Sequence, residues 1–74
     1  MDIGTWLIQF MTEHQITYTQ LESVTGKHRG TISHWVSGSR MPKIANMRIL
    51  AQGLEELTGI SSKDILAQMI ASIV

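Results

Sequence analysis

Basic residues are concentrated in one segment of the chain. Positions 27 to 48 hold five of them and no acidic residue: Lys27, Arg29, Arg40, Lys43 and Arg48. The acidic residues all lie outside this segment: Asp2, Glu13, Glu22, Glu55, Glu56 and Asp64. Lysine and arginine neutralise phosphates, and local charge sets this attraction even when the formal net charge is zero, as it is here. The acid-free segment therefore predicts one cationic surface suited to a polyanion.

Part of this segment has the spacing of a short amphipathic helix, at about 28–37. Three apolar residues form the side that we expect to be buried: Ile32, Trp35 and Val36. The opposite side is polar and cationic, with Arg29, Gly30, Ser33 and His34. The glycine leaves a gap through which a base edge or a phosphate could approach.

Apolar periodicity predicts five helices and no strand, at about 2–13, 17–26, 28–37, 43–57 and 61–74. Asp2 is the predicted N-cap of the first helix. Thr17 followed by Gln20 fits a capping box at the start of the second helix. Glycines suited to left-handed termini follow the next three helices: Gly26, Gly38 and Gly59. Trp6 falls off the apolar stripe of the first helix, so we expect it to be exposed or at an interface.

The ordered segment from Ile16 to Pro42 resembles the phage Cro/repressor-type (XRE-like) helix-turn-helix family. The residues that carry the resemblance are Ile16, Thr17, Leu21, Gly26, Thr31, Ile32, Ser33, Trp35, Gly38 and Pro42, followed by Leu50, Ala51 and Leu54. The similarity extends over roughly residues 3 to 66. It implies an all-α, lambda-repressor-like domain over 1–74, with the motif at about 17–37. It also implies that the N-terminal part of the second motif helix enters the major groove of double-stranded DNA. By that resemblance Arg29, Gly30, Ser33 and His34 form the base-reading face. Arg29 could hold guanine O6 and N7 through two hydrogen bonds, which discriminates by about 1–3 kcal/mol.

Phosphate contacts are expected from residues at the ends of the two motif helices and just beyond them: Thr17, Tyr18, Lys27, His28, Ser37, Arg40 and Lys43. Free backbone N–H groups and hydroxyls at Thr17 and Tyr18 would add the positive end of a helix dipole. The chain departs from the family at two positions. Tyr18 replaces the usual glutamine, and Glu22 replaces a small residue where two helices cross. A glutamate there is expected to point outward or to pair with a base.

The last predicted helix is apolar around most of its circumference. Four of its residues form the predicted dimer interface: Met69, Ile70, Ile73 and Val74. A two-fold dimer would place two reading helices about 34 Å apart, to match a pseudo-palindromic operator with half-sites one turn apart. The resulting prediction is a cytoplasmic, dimeric, sequence-specific repressor that acts by covering a promoter. The alternative is a protein-interaction module or an antitoxin-like regulator, whose apolar last helix binds a protein partner.

Other function classes are disfavoured by what the chain contains. It has 74 residues and no cysteine, and His28 and His34 are six residues apart, so neither a thiolate zinc site nor a histidine pair on one helical face is predicted. Glu55 and Glu56 are adjacent and diverge around a helix, which does not make a catalytic acid pair. We therefore expect no enzyme activity, catalytic residue, metal, cofactor or small-molecule ligand. The longest apolar stretches are too short for a bilayer, which takes about 20 residues, and residues 1–12 lack the basic run of a secretory signal.

Overall fold

The computed structural model describes residues 2–73, and five α-helices account for most of them. The helices are α1 (Ile3–His14), α2 (Tyr18–Thr25), α3 (Arg29–Ser37), α4 (Ile44–Thr58) and α5 (Ser62–Ile73). The all-α class and the five-helix order predicted from apolar periodicity are thus confirmed. Among the same residues, no helix combines the length and the apolar character that crossing a membrane requires.

Local sequence signals set the helix ends. Asp2 Oδ1 accepts the Thr5 N–H at 2.7 Å, which makes Asp2 the N-cap of α1. Thr17 Oγ1 accepts the Gln20 N–H at 3.1 Å, and Gln20 Oε1 accepts the Thr17 N–H at 2.9 Å, so the predicted capping box forms. The predicted glycine termini are also confirmed, because Gly26, Gly38 and Gly59 all have positive φ at helix C-caps.

The core lies where α1 and α4 meet the other helices. Helix α1 packs on α3 and α5, and α4 packs on α2 and α5, while α2 and α3 contact each other. The side chains with almost no exposed surface are Leu7, Leu21, Ile32, Met47, Leu50, Leu54, Ile65 and Met69. This arrangement holds the apolar side of α3 between α1 and α2, so the other side of α3 faces solvent.

One expectation about burial is wrong. Trp6 is only 9% exposed and stacks on Phe10 with ring centroids 5.1 Å apart. Its burial follows from the contacts of α1 with both α3 and α5, which cover a wider face than the Ile3–Leu7–Phe10 stripe. Ile44, the first residue of α4, is 61% exposed.

Two glycines permit close helix contacts. A Cβ on Gly4 of α1 would lie 2.6 Å from the carbonyl oxygen of Val36 in α3. A Cβ on Gly53 of α4 would lie 2.8 Å from Cγ2 of Val24 in α2. Any larger residue would push these helices apart, and both contacts fix how the pair α2 and α3 sits on the rest of the molecule.

Candidate nucleic-acid interface

The base-reading face lies on the solvent side of α3. Arg29, Ser33 and His34 are exposed and Gly30 is half-buried, while Ile32 and Trp35 on the opposite side are 0% and 3% exposed. Three residues, Gly26 to His28, separate α2 from α3, and both helices are short. This is the geometry of a helix-turn-helix, in which the second helix can enter the major groove.

Arg29 is exposed but does not extend freely into solvent. Its Nη2 donates a hydrogen bond to Thr19 Oγ1 at 2.9 Å, and its Nε lies 3.4 Å from Glu22 Oε1. The guanidinium carbon is 5.9 Å from the centroid of the Tyr18 ring, which permits a cation–π contact. An exposed ion pair of this kind stabilises a fold by only about 0.2–1 kcal/mol. Its main consequence is therefore the position of the guanidinium rather than the stability of the chain.

The Glu22 side chain, which was expected to point outward or to pair with a base, is 33% exposed and pairs with Arg29. Its Oε2 accepts the backbone N–H of Arg29 at 3.1 Å, while Oε1 faces the Arg29 side chain. The carboxylate therefore bridges α2 to the first residue of α3. A negative charge at a helix N-terminus is favoured by the helix dipole. Sequence spacing could have indicated this contact, because Glu22 and Arg29 flank the turn with opposite charges.

His28 is the N-cap of α3. Its Nδ1 accepts the Gly30 N–H at 2.9 Å, so a neutral ring carries its proton on Nε2. That Nε2–H is a donor on an exposed residue beside α3, which suits the predicted phosphate contact. A Cβ on residue 30 would lie 3.2 Å from the same Nδ1. The glycine thus leaves room for the imidazole cap, a packing benefit that the sequence did not indicate.

The start of α2 offers fewer free groups than expected. The Thr17 N–H is donated to Gln20, so it is not available to a phosphate, which corrects the prediction of a free N–H there. The Thr17 hydroxyl oxygen accepts from Gln20 but keeps its own hydrogen to donate. Tyr18 is half-buried and is the first residue of α2, a position whose N–H has no partner within the helix.

The cationic residues after α3 lie beside the base-reading face. A cleft of about 270 Å³ is lined by His34, Arg40 and Lys43, together with Thr31, Trp35, Met41, Pro42 and Asn46. Thr31 and Asn46 add polar groups that were not predicted; each lies three residues from a predicted contact, Thr31 from His34 and Asn46 from Lys43. Arg40 and Lys43 are exposed, and Lys27 is half-buried in the turn before α3. Positive charge therefore lies at both ends of α3.

Ser37 is exposed at the end of α3, but its hydroxyl is already engaged. Its Oγ donates to the His34 carbonyl oxygen at 3.2 Å and lies 2.8 Å from Ser39 Oγ. A contact from Ser37 to a phosphate would have to share or replace these bonds. Ser39 extends the same polar group and was not predicted.

The predicted dimer interface is reduced by one residue. Met69 is fully buried in the core, where α5 packs on α4, so it cannot also cover a partner. Ile70 and Ile73 are 39% and 40% exposed, and Val74 lies outside the described residues. Met41, 58% exposed, lines the same cleft as Ile73. We call Met41, Ile70 and Ile73 the apolar patch; Met41 was missed because it lies in a loop and outside any helical periodicity.

Within residues 2–73, no group of three or more histidine, aspartate or glutamate side chains is placed to hold a metal ion. The candidate site contains hydrogen-bond donors, hydroxyls and positively charged side chains. Such groups suit a nucleic acid backbone and base edges.

Comparison with known proteins supports the same interpretation. A helix-turn-helix family model matches residues 7–61, which is more than half of the chain. The chain belongs to the helix-turn-helix family, and the match is consistent with the Cro/repressor type identified from Ile16 to Pro42. It is a DNA-binding transcription regulator in general terms, from a family that is regulatory and not typically enzymatic. Searches of curated proteins and of solved structures give no significant match.

Proposed function

We propose that this protein is a sequence-specific repressor that binds double-stranded DNA as a homodimer and acts by covering a promoter. In this proposal residues 1–74 act as one domain, with α3 of the motif at 17–37 in the major groove. The observation that carries it is the exposed base-reading face on a helix whose other side is buried through Ile32 and Trp35. A neutral chain can bind DNA in this way because its basic residues flank that face.

The division of roles follows from position. Arg29, Ser33 and His34 contact base edges, and Gly30 lets the helix approach closely. Phosphates on either side are held by the residues that flank α3 and begin α2: Thr17, Tyr18, Lys27, His28, Ser37, Arg40 and Lys43. Phosphate contacts fix the register of the protein on the DNA without distinguishing its sequence, whereas base contacts determine sequence specificity.

Dimerisation is supported by the apolar patch. Ile70 and Ile73 are three residues apart and lie on the same side of α5. Met41 extends the apolar surface beside Ile73. The molecule measures 26 × 26 × 23 Å. We expect a two-fold dimer of molecules of this size to place its two α3 helices about 34 Å apart, one turn of the DNA helix. A pseudo-palindromic operator follows from that two-fold symmetry.

The same patch favours one other candidate, an antitoxin-like regulator that holds a different protein there. The dependence of binding affinity on salt concentration distinguishes a DNA-binding role from a purely protein-binding one. Binding through phosphates weakens steeply between about 50 and 200 mM salt, because added salt reduces the free energy gained when counterions are released from DNA. An apolar protein interface does not weaken in this way.

The test is selection of duplexes from a random pool, followed by affinity measurements on the selected duplex and on a scrambled one. We expect the selected duplex to bind at least about a hundredfold more tightly than the scrambled one at moderate salt. Both affinities should fall as salt rises. If no duplex is enriched and none binds at about 50 mM salt, the proposed function is wrong.

A further inference from the structure

We propose that Glu22 is a positioning residue for Arg29 and thereby sets the strength of the preference for guanine at one base pair. The inference rests on the proposed function, in which α3 enters the major groove. It concerns a side chain of α2 that contacts no base in the proposal and that belongs to neither the base-reading face nor the phosphate contacts.

Contacts with Glu22 and Thr19 hold the Arg29 guanidinium in place. Nε lies 3.4 Å from Glu22 Oε1, and Nη2 donates to Thr19 Oγ1 at 2.9 Å. Glu22 is itself fixed, because its other oxygen accepts the Arg29 backbone N–H at 3.1 Å. The carboxylate therefore contacts both the backbone and the side chain of the same arginine. A rotation of Glu22 away from one contact would also break the other.

Part of the Arg29 guanidinium is not used by its contacts with Glu22 and Thr19. A guanidinium has five N–H donors in a rigid fork, and Nε–H lies along the same edge as one N–H of Nη2. Glu22 faces this edge through Nε, and Thr19 accepts one of the two N–H groups of Nη2. Both N–H groups of Nη1 and the second N–H of Nη2 are not used by these contacts. Parallel N–H groups of Nη1 and Nη2 at the end of the fork match guanine O6 and N7.

These contacts affect the free energy of binding through the conformational entropy of Arg29. An arginine side chain with free rotation loses conformational entropy when it binds a base, and this loss weakens the specific complex. In the free protein a hydrogen bond to Thr19, an ion pair with Glu22 and the nearby Tyr18 ring already restrict Arg29, although its side chain stays 56% exposed. The cost of ordering Arg29 is therefore partly met before DNA binds. The benefit appears only where Arg29 meets its base pair.

A second glutamate in the chain provides a matched control. Glu55 Oε2 accepts the backbone N–H of Ser62, the first residue of α5, at 3.0 Å. Glu22 accepts the N–H of the first residue of α3, and both pairs are separated by seven residues. Glu55 thus performs the same capping of the next helix but lies next to no base-reading residue. Removal of either glutamate should cost similar stability.

The experiment measures a specificity ratio, defined as the dissociation constant for a duplex changed at one base pair divided by that for the selected duplex. The base pair is the one at which Arg29→Ala loses discrimination. We expect Glu22→Ala to lower this ratio by about fivefold, and to leave it unchanged when Arg29 is already alanine. Glu22→Gln keeps an oxygen for the Arg29 N–H and should lower the ratio with little loss of thermal stability. Glu55→Ala should lower thermal stability and leave the ratio unchanged.

The outcomes separate this inference from the proposed function. If the wild-type protein selects a duplex but Glu22→Ala and Glu22→Gln both keep its full ratio, the role of Glu22 is structural and the inference is wrong. The same holds if Arg29→Ala loses discrimination at no base pair, or if the Glu22 variants raise the ratio. If the wild-type protein binds no duplex, both proposals are wrong. Glu22→Gln keeps the test valid even if Glu22→Ala does not fold.

Discussion

Gly4 of α1 lies so close to Val36 of α3 that a Cβ on residue 4 would be 2.6 Å from the Val36 carbonyl oxygen. A backbone oxygen cannot move aside as a flexible side chain can. Helix α3 is thus fixed against α1 at its C-terminal end and against α2 through Glu22 at its first residue. The orientation of the base-reading face depends on both attachments.

Gly4→Ala should destabilise the protein by about 1–3 kcal/mol, the usual cost of overpacking a tight contact. Alanine is otherwise a better helix former than glycine by about 0.5–1 kcal/mol, so a net loss would show that the contact outweighs helix propensity. Urea unfolding provides the measurement. Ala67→Gly on the exposed side of α5 measures propensity alone. A Gly4→Ala protein more stable than wild type would contradict the expected clash.

Arg29→Ala and Lys43→Ala should differ in kind. Loss of Arg29 should remove about 1–3 kcal/mol of discrimination at one or two base pairs. Loss of Lys43 should weaken binding to all duplexes alike and reduce the slope of log affinity against log salt by about 1. Fluorescence anisotropy on the selected duplex and its single-base-pair variants, at several salt concentrations, measures both effects. Identical changes in the two variants would show that the assigned roles are incorrect.

Ile73→Glu should weaken the proposed dimer by about tenfold or more, because a charge would replace an apolar contact within the apolar patch. Sedimentation velocity over a range of concentrations measures the monomer fraction. Ile8→Glu is the matched control: Ile8 is 47% exposed and lines a different cleft, with Met11 and Val36. A wild-type protein that stays monomeric in the presence of its selected duplex would rule the dimer out.

The Asp2 cap should make stability depend on acid pH. The Thr5 backbone N–H bound to the Asp2 carboxylate lowers the pKa of that carboxyl below its ordinary value of 3.8. Because the folded pKa is the lower one, the cap contributes stability above the unfolded pKa, and this contribution is lost as pH falls through the folded value. Asp2→Asn keeps an N-cap acceptor that does not titrate.

Thermal unfolding of wild type and Asp2→Asn from about pH 2 to pH 7 measures the effect. The difference between the two melting temperatures should be constant above about pH 5. Below about pH 4 it should shift in favour of Asp2→Asn. A difference that does not change with pH would mean that Asp2 does not cap α1 in solution.

The parts of this structure that sequence predicts are those set by neighbours along the chain. The capping box of Thr17 and Gln20 depends on residues three apart, and so does the N-cap contact between Asp2 and Thr5. The exposed side of α3 was predicted for the same reason, because Ile32 and Trp35 fix one side and the helical repeat fixes the other.

The parts that sequence missed depend on contacts between elements. Trp6 is buried because two helices cover α1, and Met69 is buried because α5 packs its apolar side on α4. Glu22 contacts Arg29 only because the turn at Gly26 brings α2 and α3 together. The apolar periodicity of a single helix indicates none of these contacts.

The separation of charge along the chain affects how the protein rotates as it approaches DNA. A molecule with zero net charge whose Lys27, Arg29, Arg40 and Lys43 flank or begin α3 should carry an electric dipole. In the field of a polyanion such a molecule experiences little net pull at long range but does experience a torque. It should therefore rotate its cationic end toward a duplex during approach, so that a larger share of encounters begins in a productive orientation.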